Sequence, residues 1–474
     1  MGTRKNSRAK STPGTTKPAS GPSDLLRRAI NWIVTDAMFA DLKKHGNVNW
    51  QAKPLILLAV LTAWIDAKQL TQAFEKATTW SQRWYGVIAI ETYQGLMRAL
   101  TQYNSQLLPR MWERLQSLMA QVSPKHFRIG RWLPLAVDGS RFSTPRTLSN
   151  ELAFAARNFG RGKKARSRAK WKNKRRRSKK LGAPVKPQIW LTLVWHMGLK
   201  LPWRWKTGPS TSSERHHLID LARNVLFPKN TLFCADAGFV GYELWSSLVE
   251  PGHSFLIRVG ANVRLLKNLG RFRFGDGIVC LWPKDAMQRG TPPLLLRLVE
   301  AKGERGSMFL VTNVLSESAL STPMLKRLYP LRWGVELQFR AAKQTFGLGT
   351  LRSRNSAHAL VELDWSLVSL TMIQLLAIKE QTTLDIPPER TSVAQAIRAI
   401  QHAIDHWNQL SGPIPGLRQR LRAAVTDTYV RRRPKTARYH HNLKDKPTAT
   451  RPIVQIATRE QRQAYAALKL AARK

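Results

Sequence analysis

Two carboxylates stand where apolar segments of the chain stop. Asp138 follows the run Leu133–Val137, and Asp236 follows Thr231–Ala235; small residues come next in both places. Continuous apolar runs of this length are typical of strands buried on both faces, and ligands bind at the carboxyl edge of sheets built from such strands. Small neighbours let a metal ion and a phosphate approach the backbone. Taken alone, an Asp followed by a small residue is more often part of an ordinary turn; two such acids at corresponding places in so basic a chain favour a site.

A third carboxylate belongs to a group of four polar residues whose spacing predicts one helix face. The four, at offsets of 0, 3, 7 and 14 residues, are Tyr329, Arg332, Glu336 and Lys343. At about 100° per residue they fall within about 60° of one another. A surface stripe of i,i+4 salt bridges explains the charged residues, but neither the tyrosine nor the full spacing. Pro330 is expected in the first helical turn, with Tyr329 at the cap.

Three apolar residues border this polar face. Trp333 and Phe339 flank it on either side, and Leu337 points further away. All three are expected to supply core contacts to a helix that spans 323–346.

The elements that must position these residues alternate between strands and helices after residue 131. Buried strands are predicted at 188–197, 231–235 and 254–259, and Thr211–Glu214 reads as a capping box that opens a helix. This alternation indicates an α/β core. The predicted segments are a basic tail without ordered structure (1–22), a helical domain (23–125), the first part of the core (126–260), a β-rich insertion (261–320), a core helix (321–350) and a helical region with a basic tail (351–474). Within the first helical domain, residues 91–100 are compatible with a DNA-recognition helix or with an ordinary amphipathic helix.

The charge of the chain points to a polyanionic partner. Lys and Arg number 78 against 29 Asp and Glu, a net charge of +49. Such an excess repels itself unless nucleic acid or another polyanion neutralises it. Thirteen of the 20 residues in 161–180, including Arg175, Arg176 and Arg177, are Lys or Arg. We expect this loop to contact phosphates; a solvated charged loop is the alternative.

Other features argue against secretion, zinc binding and a hydrolase triad. The N-terminus lacks an apolar signal segment, and the run Leu55–Ile65 is shorter than the roughly 18–20 residues that span a bilayer. Cys234 and Cys280 are expected to be buried thiols, and His216 with His217 a satisfied pair rather than metal ligands. His440 and His441 lie in the basic tail and are expected to contact phosphate. We therefore expect a soluble, cytoplasmic, nucleoid-associated protein without a membrane partner.

The spacing of the four-residue group resembles a known signature. The pattern Tyr-x2-Arg-x3-Glu-x6-Lys is similar to that of the DDE transposases of bacterial insertion sequences, in the cut-and-paste group with the Tyr-Arg-Glu-Lys motif. The surroundings of the two upstream acids, Ala136-Val-Asp-Gly-Ser140 and Ala235-Asp-Ala-Gly-Phe239, resemble that family's strands, as does Val311-Thr-Asn313. The resemblance covers about 130–350 closely and the helical N-terminal domain loosely. The basic loop and Pro330 depart from the family's pattern.

The resemblance implies a ribonuclease-H-like core with a β domain inserted between the second Asp and the Glu. It also implies that Asp138, Asp236 and Glu336 are the catalytic residues and hold two Mg²⁺ or Mn²⁺ ions. The physical chemistry agrees, because three convergent carboxylates repel without a cation and oxygen ligands suit these ions. Two ions activate the attacking oxygen and stabilise the leaving oxygen of a phosphoryl transfer.

The remaining residues of the motif are expected to bind DNA. Tyr329, Arg332 and Lys343 would hold the phosphate of the transferred strand. Trp333 would stack on a displaced base or, alternatively, pack in the core.

The function implied is binding of double-stranded DNA at the terminal repeats of an element, followed by cleavage and transfer into target DNA by a homodimer. Similar enzymes use a hairpin intermediate at the element end. A non-catalytic DNA-binding protein derived from a transposase and a structure-specific nuclease are the alternatives.

Overall fold

The computed structural model describes residues 22–46, 48–86, 90–155, 187–270, 277–303, 306–406, 416–426 and 451–471. Several predicted features lie outside these residues: all of the N-terminal tail except Pro22, the basic loop with Arg175, Arg176 and Arg177, part of the β-rich insertion (271–276), and the pair His440 and His441.

Helices build the first part of the described chain. They are α1 (Pro22–Ile33), a 3₁₀ turn (Asp36–Phe39), α2 (Ala52–Trp64), α3 (Leu70–Tyr85), α4 (Tyr93–Val122) and the short α5 (Pro124–Phe127). The candidate recognition segment 91–100 forms the first turns of α4, where Thr92 caps the helix through the Gly95 N–H. Leu96, Met97 and Leu100 on this segment are buried, which is the packing of an ordinary amphipathic helix.

A ten-stranded sheet forms the centre of the protein and confirms the α/β class. Its first five strands and the helices among them are β1 (Leu133–Ser143), α6 (Leu148–Phe154), β2 (Gln188–His196), β3 (Leu201–Gly208), α7 (Glu214–Asn224), β4 (Thr231–Ala235), α8 (Tyr242–Val249) and β5 (Ser254–Val259). Strands β1, β2 and β3 are antiparallel neighbours, whereas β4 runs parallel to β1 and β5 parallel to β4. The five lie in the order β3-β2-β1-β4-β5.

The strands of 261–320 extend this same sheet rather than forming one of their own. They are β6 (Arg264–Lys267), β7 (Ile278–Leu281), β8 (Leu294–Gly303) and β9 (Gly306–Thr312), with α9 (Lys284–Gln288) between β7 and β8. The extension arises because β9 returns antiparallel to β5 and hydrogen-bonds to it. A further strand, β10 (Ile453–Ile456), pairs with β6 at the sheet edge, so the region after 351 is not wholly helical as predicted.

A long buried helix joins the N-terminal helices to the sheet. The C-terminal helices are α10 (Thr322–Leu328), α11 (Gly334–Arg340), α12 (Ser356–Thr382), α13 (Val393–Asp405), α14 (Leu417–Arg422) and α15 (Arg459–Ala471). By length and composition alone α12 is able to cross a membrane, but it lies inside the protein, packed against α2, α4 and β3. On it, the buried Asp364 accepts hydrogen bonds of 2.8 Å from Asn104 on α4 and from Trp205 on β3.

Candidate functional site

The predicted helix of 323–346 is a succession of helical types. Helix α10 leads into a 3₁₀ turn (Tyr329–Trp333), then α11, then a π-helical turn (Ala341–Thr345). The predicted cap at Tyr329 is therefore wrong: the helix begins at Thr322, and Ser321 caps it through the Met324 N–H. Pro330 lacks the N–H that an α-helical bond needs, which accounts for the tighter turn at this point.

Gly334 lets this segment lie directly on the sheet. A Cβ at Gly334 would stand 2.0 Å from the Trp195 ring, so a larger residue would push the segment away. Strand β2 thus positions the whole Tyr-Arg-Glu-Lys segment against the core.

The apolar neighbours of the motif do not all pack in the core. Phe339 is buried as predicted, whereas Trp333 and Leu337 are 53% and 47% exposed. The prediction of core contacts is wrong for these two, because they lie on the open side of the segment, which no described element covers. Trp333 is consequently accessible to a ligand.

The two aspartates lie side by side at the sheet edge. The parallel pairing of β1 with β4 ends at Ala136 and Cys234. Each aspartate lies two residues further along the chain, Asp138 within β1 and Asp236 just after the end of β4. Strand β1 itself does not stop at Asp138 as predicted but continues to Ser143, paired with β2. Asp138 Oδ1 accepts the Gly139 N–H and Asp236 Oδ1 accepts the Gly238 N–H, both at 2.8 Å.

Arg332 connects the third carboxylate to the first. Its guanidinium lies 3.1 Å from Glu336 Oε1 and 3.8 Å from Asp138 Oδ2. The Arg332 side chain is only 12% exposed, so in the absence of DNA it faces the carboxylates rather than solvent.

Tyr329 and Lys343 fix the segment at its two ends. The buried Tyr329 hydroxyl donates to the Ala235 carbonyl at 3.3 Å, beside Asp236. Lys343 Nζ donates to Ser140 Oγ at 2.6 Å, and its partial burial lowers its pKa. The structure thus brings all four motif residues to the strands that carry the aspartates, and Tyr329 acts as an anchor there.

A fourth carboxylate, which the sequence analysis missed, belongs to the same group. A Cβ at Gly139 would stand 2.4 Å from Glu214 Oε2, and a Cβ at Gly238 would stand 3.1 Å from Glu214 Oε1. The Glu214 carboxylate therefore occupies the space beside both aspartates. The predicted capping box is wrong, because Ser213 is the cap residue of α7 and makes no side-chain cap bond. The sequence signal that could have identified Glu214 is an acidic residue at the start of a helix that lies between two core strands.

The carboxylates disfavour one another's charge. Burial raises the pKa of Asp138 to about 6; the charges of Asp236 and Glu336 add to the rise, while the Gly139 N–H and Arg332 oppose it. Burial, followed by the charges of Asp138 and Asp236, raises the pKa of Glu214 to about 7. A bound cation would relieve this repulsion.

The donor set fits a hard divalent cation. All four side chains offer oxygen, which suits Mg²⁺ or Mn²⁺ rather than zinc. Within the described ranges no three His, Cys, Asp or Glu side chains converge closely enough to hold an ion as they stand. The Arg332 guanidinium lies between two of the acids, so ion binding requires side-chain movement at Arg332 or Glu336.

The histidines and cysteines set aside by the sequence analysis lie apart from this chemistry. His217 Nδ1 is 3.0 Å from the Thr192 hydroxyl, and burial lowers the pKa of His217 to about 4, whereas His216 is exposed. Cys234 and Cys280 are buried free thiols, as predicted.

Comparison with known proteins identifies the family. The family described as "Transposase DDE domain" matches residues 133–372, about half of the chain. Transposase InsG for insertion sequence element IS4, from Escherichia coli (strain K12), is 24% identical over 298 residues, which cover 59% of this chain and 61% of that relative. The chain thus spans less than two thirds of that relative's length. A solved structure of the piggyBac transposase synaptic complex with hairpin DNA aligns over 87% of both chains with a TM-score of 0.41 and 12% identity. The chain belongs to the DDE transposases of the insertion-sequence type.

Proposed function

We propose that this transposase binds double-stranded DNA at the ends of its element and carries out metal-dependent cleavage and strand transfer. The observation that carries the proposal is the meeting of Asp138, Asp236, Glu214 and the Arg332–Glu336 pair at one edge of the sheet. A non-catalytic DNA-binding relative has no need for buried acids that raise one another's pKa, since they cost stability.

The proposed core is ribonuclease-H-like. The order β3-β2-β1-β4-β5, with an antiparallel meander followed by two parallel strands, supports this assignment. The segment 261–320 would be the inserted region, although its strands join the same sheet.

The proposed metal ligands are Asp138, Asp236 and Glu336, with Glu214 as a fourth carboxylate. Two Mg²⁺ or Mn²⁺ ions held there would activate the attacking oxygen and stabilise the leaving oxygen in the phosphoryl transfer. Asp138 and Asp236 are already oriented by backbone N–H groups, which keeps one oxygen of each accepting a fixed bond. Asp138 and Glu214, whose pKa values are raised in the metal-free protein, would bind the cations in their deprotonated forms.

Arg332 and Lys343 would position the DNA strand. With a cation present, Arg332 would be released from its carboxylate partners and its guanidinium made available to a phosphate. Lys343, held near Ser140 in β1, would contact the same strand. Trp333, being exposed, would stack on a base displaced from the duplex.

The net charge of the chain and the cutting of two element ends indicate the proposed partners, which are DNA and a second copy of the protein. The net charge of +49 supports DNA as the partner, and the segment 161–180 with Arg175, Arg176 and Arg177 is the proposed phosphate contact. Cutting both ends of an element in one complex requires at least a dimer. We place the protein in the cytoplasm on the nucleoid.

A cleavage and joining assay tests the proposal. The substrates are duplexes carrying the DNA that flanks the gene, incubated with wild type or Glu336→Gln in Mg²⁺, in Mn²⁺ or in EDTA. We expect metal-dependent cuts at repeat ends and joined product for wild type, and intact substrate with DNA binding preserved for the variant. Cutting without joining would indicate a nuclease, and binding without cutting in either ion would indicate a non-catalytic relative.

A further inference from the structure

A buried hydrogen-bond donor at the edge of the carboxylate site has no acceptor. The donor is the indole Nε1 of Trp190 on β2, which is closed off from solvent and makes no hydrogen bond within the described ranges. A buried N–H without an acceptor costs free energy, and such groups are rare in folded proteins. Because a ligand from solvent does not reach this atom, the acceptor that fits it is a protein group packed beside it.

The pairing of β1 with β2 places the Trp190 ring beside Gly139. Trp190 lies opposite Arg141. Thr192, two residues further along β2, lies opposite Gly139, so Trp190 and Gly139 are diagonal neighbours on one face of the sheet. A Cβ at Gly139 would stand 3.0 Å from Trp190 Nε1, so the edge of the indole fills the space that the glycine leaves. The Arg141 guanidinium lies 4.6 Å from the ring centroid and holds the ring in place there.

The Glu214 carboxylate occupies the same space. A Cβ at Gly139 would meet Glu214 Oε2 even more closely than the indole, so this oxygen and the Trp190 Nε1 both lie within 3.0 Å of one point. No hydrogen bond joins them in the metal-free protein. A change in the Glu214 side-chain torsions is sufficient to form one, because the two groups already share this space.

Helix α7 holds Glu214 over this part of the sheet. On α7, three residues after Glu214, the Nδ1 of His217 lies 3.0 Å from the Thr192 hydroxyl. Thr192 is the β2 residue that pairs with Gly139. The first turn of α7, which Glu214 begins, is therefore fixed over the place where the indole and the glycine meet.

The Glu214 carboxylate lacks the hydrogen bond that orients each aspartate. Asp138 and Asp236 each accept a backbone N–H at 2.8 Å. No group of the described part of the chain donates to the Glu214 carboxylate. Carboxylates that bind a metal are themselves commonly held by hydrogen bonds. A donor without an acceptor and a carboxylate without a donor therefore lie together beside the proposed metal ligands.

We propose that Trp190 is a positioning residue for Glu214. Its indole N–H donates to one oxygen of the Glu214 carboxylate when the site binds its divalent cations, and the other oxygen is then directed toward them. The inference rests on the proposed function and extends it to a residue that acts on the cations only through Glu214.

Removal of the donor and removal of its acceptor together make a double-mutant cycle. Trp190→Phe removes the N–H and retains an aromatic ring for Arg141, and Glu214→Ala removes the acceptor. Trp195→Phe is the matched control: Trp195 lies on the same strand and its buried Nε1 also has no partner within the described ranges, but its ring packs against Gly334. Thermal melts in EDTA establish that each variant is folded. If Trp190→Phe does not fold, 3-benzothienylalanine at position 190 removes the N–H and keeps the size of the indole.

Mn²⁺ affinity is measured by electron paramagnetic resonance of the free ion, without and with the flanking DNA duplex. We expect Trp190→Phe to bind Mn²⁺ about tenfold more weakly than wild type, as is typical when a hydrogen bond to a metal ligand is removed, and Trp195→Phe to stay within about twofold of wild type. In the Glu214→Ala background, Trp190→Phe should weaken binding by no more than about twofold further, because the acceptor is already gone.

The indole N–H signal reports on the bond itself. The chain has 17 Trp residues, and the signal of Trp190 in a ¹⁵N–¹H spectrum is assigned by its absence from the spectrum of Trp190→Phe. We expect Mg²⁺ to move this signal downfield in wild type and to leave it in place in Glu214→Ala.

The outcomes separate this inference from the proposed function. If wild type binds Mn²⁺ but Trp190→Phe weakens binding equally in the wild-type and Glu214→Ala backgrounds, or not at all, Trp190 does not act through Glu214 and the metal site stands. If wild type binds no Mn²⁺ with or without DNA, the metal-dependent function and the role of Trp190 both fail.

Discussion

Replacing Glu214 with glutamine should stabilise the metal-free protein at alkaline pH. Because the folded-state pKa of Glu214 is about 7 against an ordinary 4.5, its contribution to stability is present at low pH and is lost as the pH rises through 7. At about 1.4 kcal/mol per pKa unit, the difference between 4.5 and 7 corresponds to at most about 3.5 kcal/mol. The side chain is partly exposed, so solvent screening reduces our expectation to about 1–2 kcal/mol. Glutamine keeps the shape and carries no charge, which removes this loss.

Thermal melts in EDTA at pH 5.5 and pH 8.5 measure the effect. For a chain of 474 residues, the unfolding entropy of about 2 cal/mol/K per residue converts this gain to about 1–2 °C at pH 8.5, and to roughly half of that or less at pH 5.5, between the unfolded and folded pKa values. Glu243→Gln, in the first turn of the neighbouring helix α8, is the matched control and should show no such gain. Mn²⁺ should raise the melting temperature of wild type more than that of Glu214→Gln. A variant destabilised at pH 8.5 in EDTA, with an undiminished Mn²⁺ effect, would refute the placement of Glu214 among the metal ligands.

Three further perturbations probe the geometry and the DNA contacts. Gly139→Ala would place a Cβ 2.4 Å from Glu214 Oε2, so Mn²⁺ affinity by calorimetry should fall about tenfold while the fold is retained; unchanged affinity would contradict the packing. Trp333→Ala should cost less than about 1 kcal/mol of stability, yet weaken binding to duplexes with an unpaired base by about 1–3 kcal/mol in anisotropy titrations. Replacing the basic residues of 161–180 with Gln should flatten the salt dependence of DNA binding, and an equal slope would exclude the loop as a phosphate contact.

Continuous apolar segments made the sheet predictable. Strands β4 and β5 have the predicted bounds because each is a run of residues buried on both faces, a pattern that leaves little choice of structure. Strand β3 escaped prediction because its apolar residues alternate with Arg204 and Lys206 over a short span. Strand β10 is largely exposed and is held by pairing with β6, which no local pattern reveals.

The parts of the site that form a local sequence motif were predictable. The parts whose positions depend on contacts between residues far apart in the sequence were not. The spacing of Arg332 and Glu336 led directly to their association, since an i,i+4 pair on a helix depends only on local geometry. The close approach of this segment to the sheet depends on Gly334 meeting Trp195, two residues far apart in sequence. Glu214 was read as part of a cap because the sequence does not show its neighbours in space, Gly139 on β1 and Gly238 just after β4.

Mn²⁺ binding measured by electron paramagnetic resonance tests whether Asp138, Asp236, Glu336 and Glu214 form one divalent-metal centre. The signal of free Mn²⁺ is followed as the ion is titrated into wild type, Asp236→Asn and Glu336→Gln, each with and without DNA. We predict saturable binding by wild type, strengthened by DNA because a phosphate then engages Arg332, and at least about tenfold weaker binding by both variants. Equal Mn²⁺ binding by all three proteins would contradict the account.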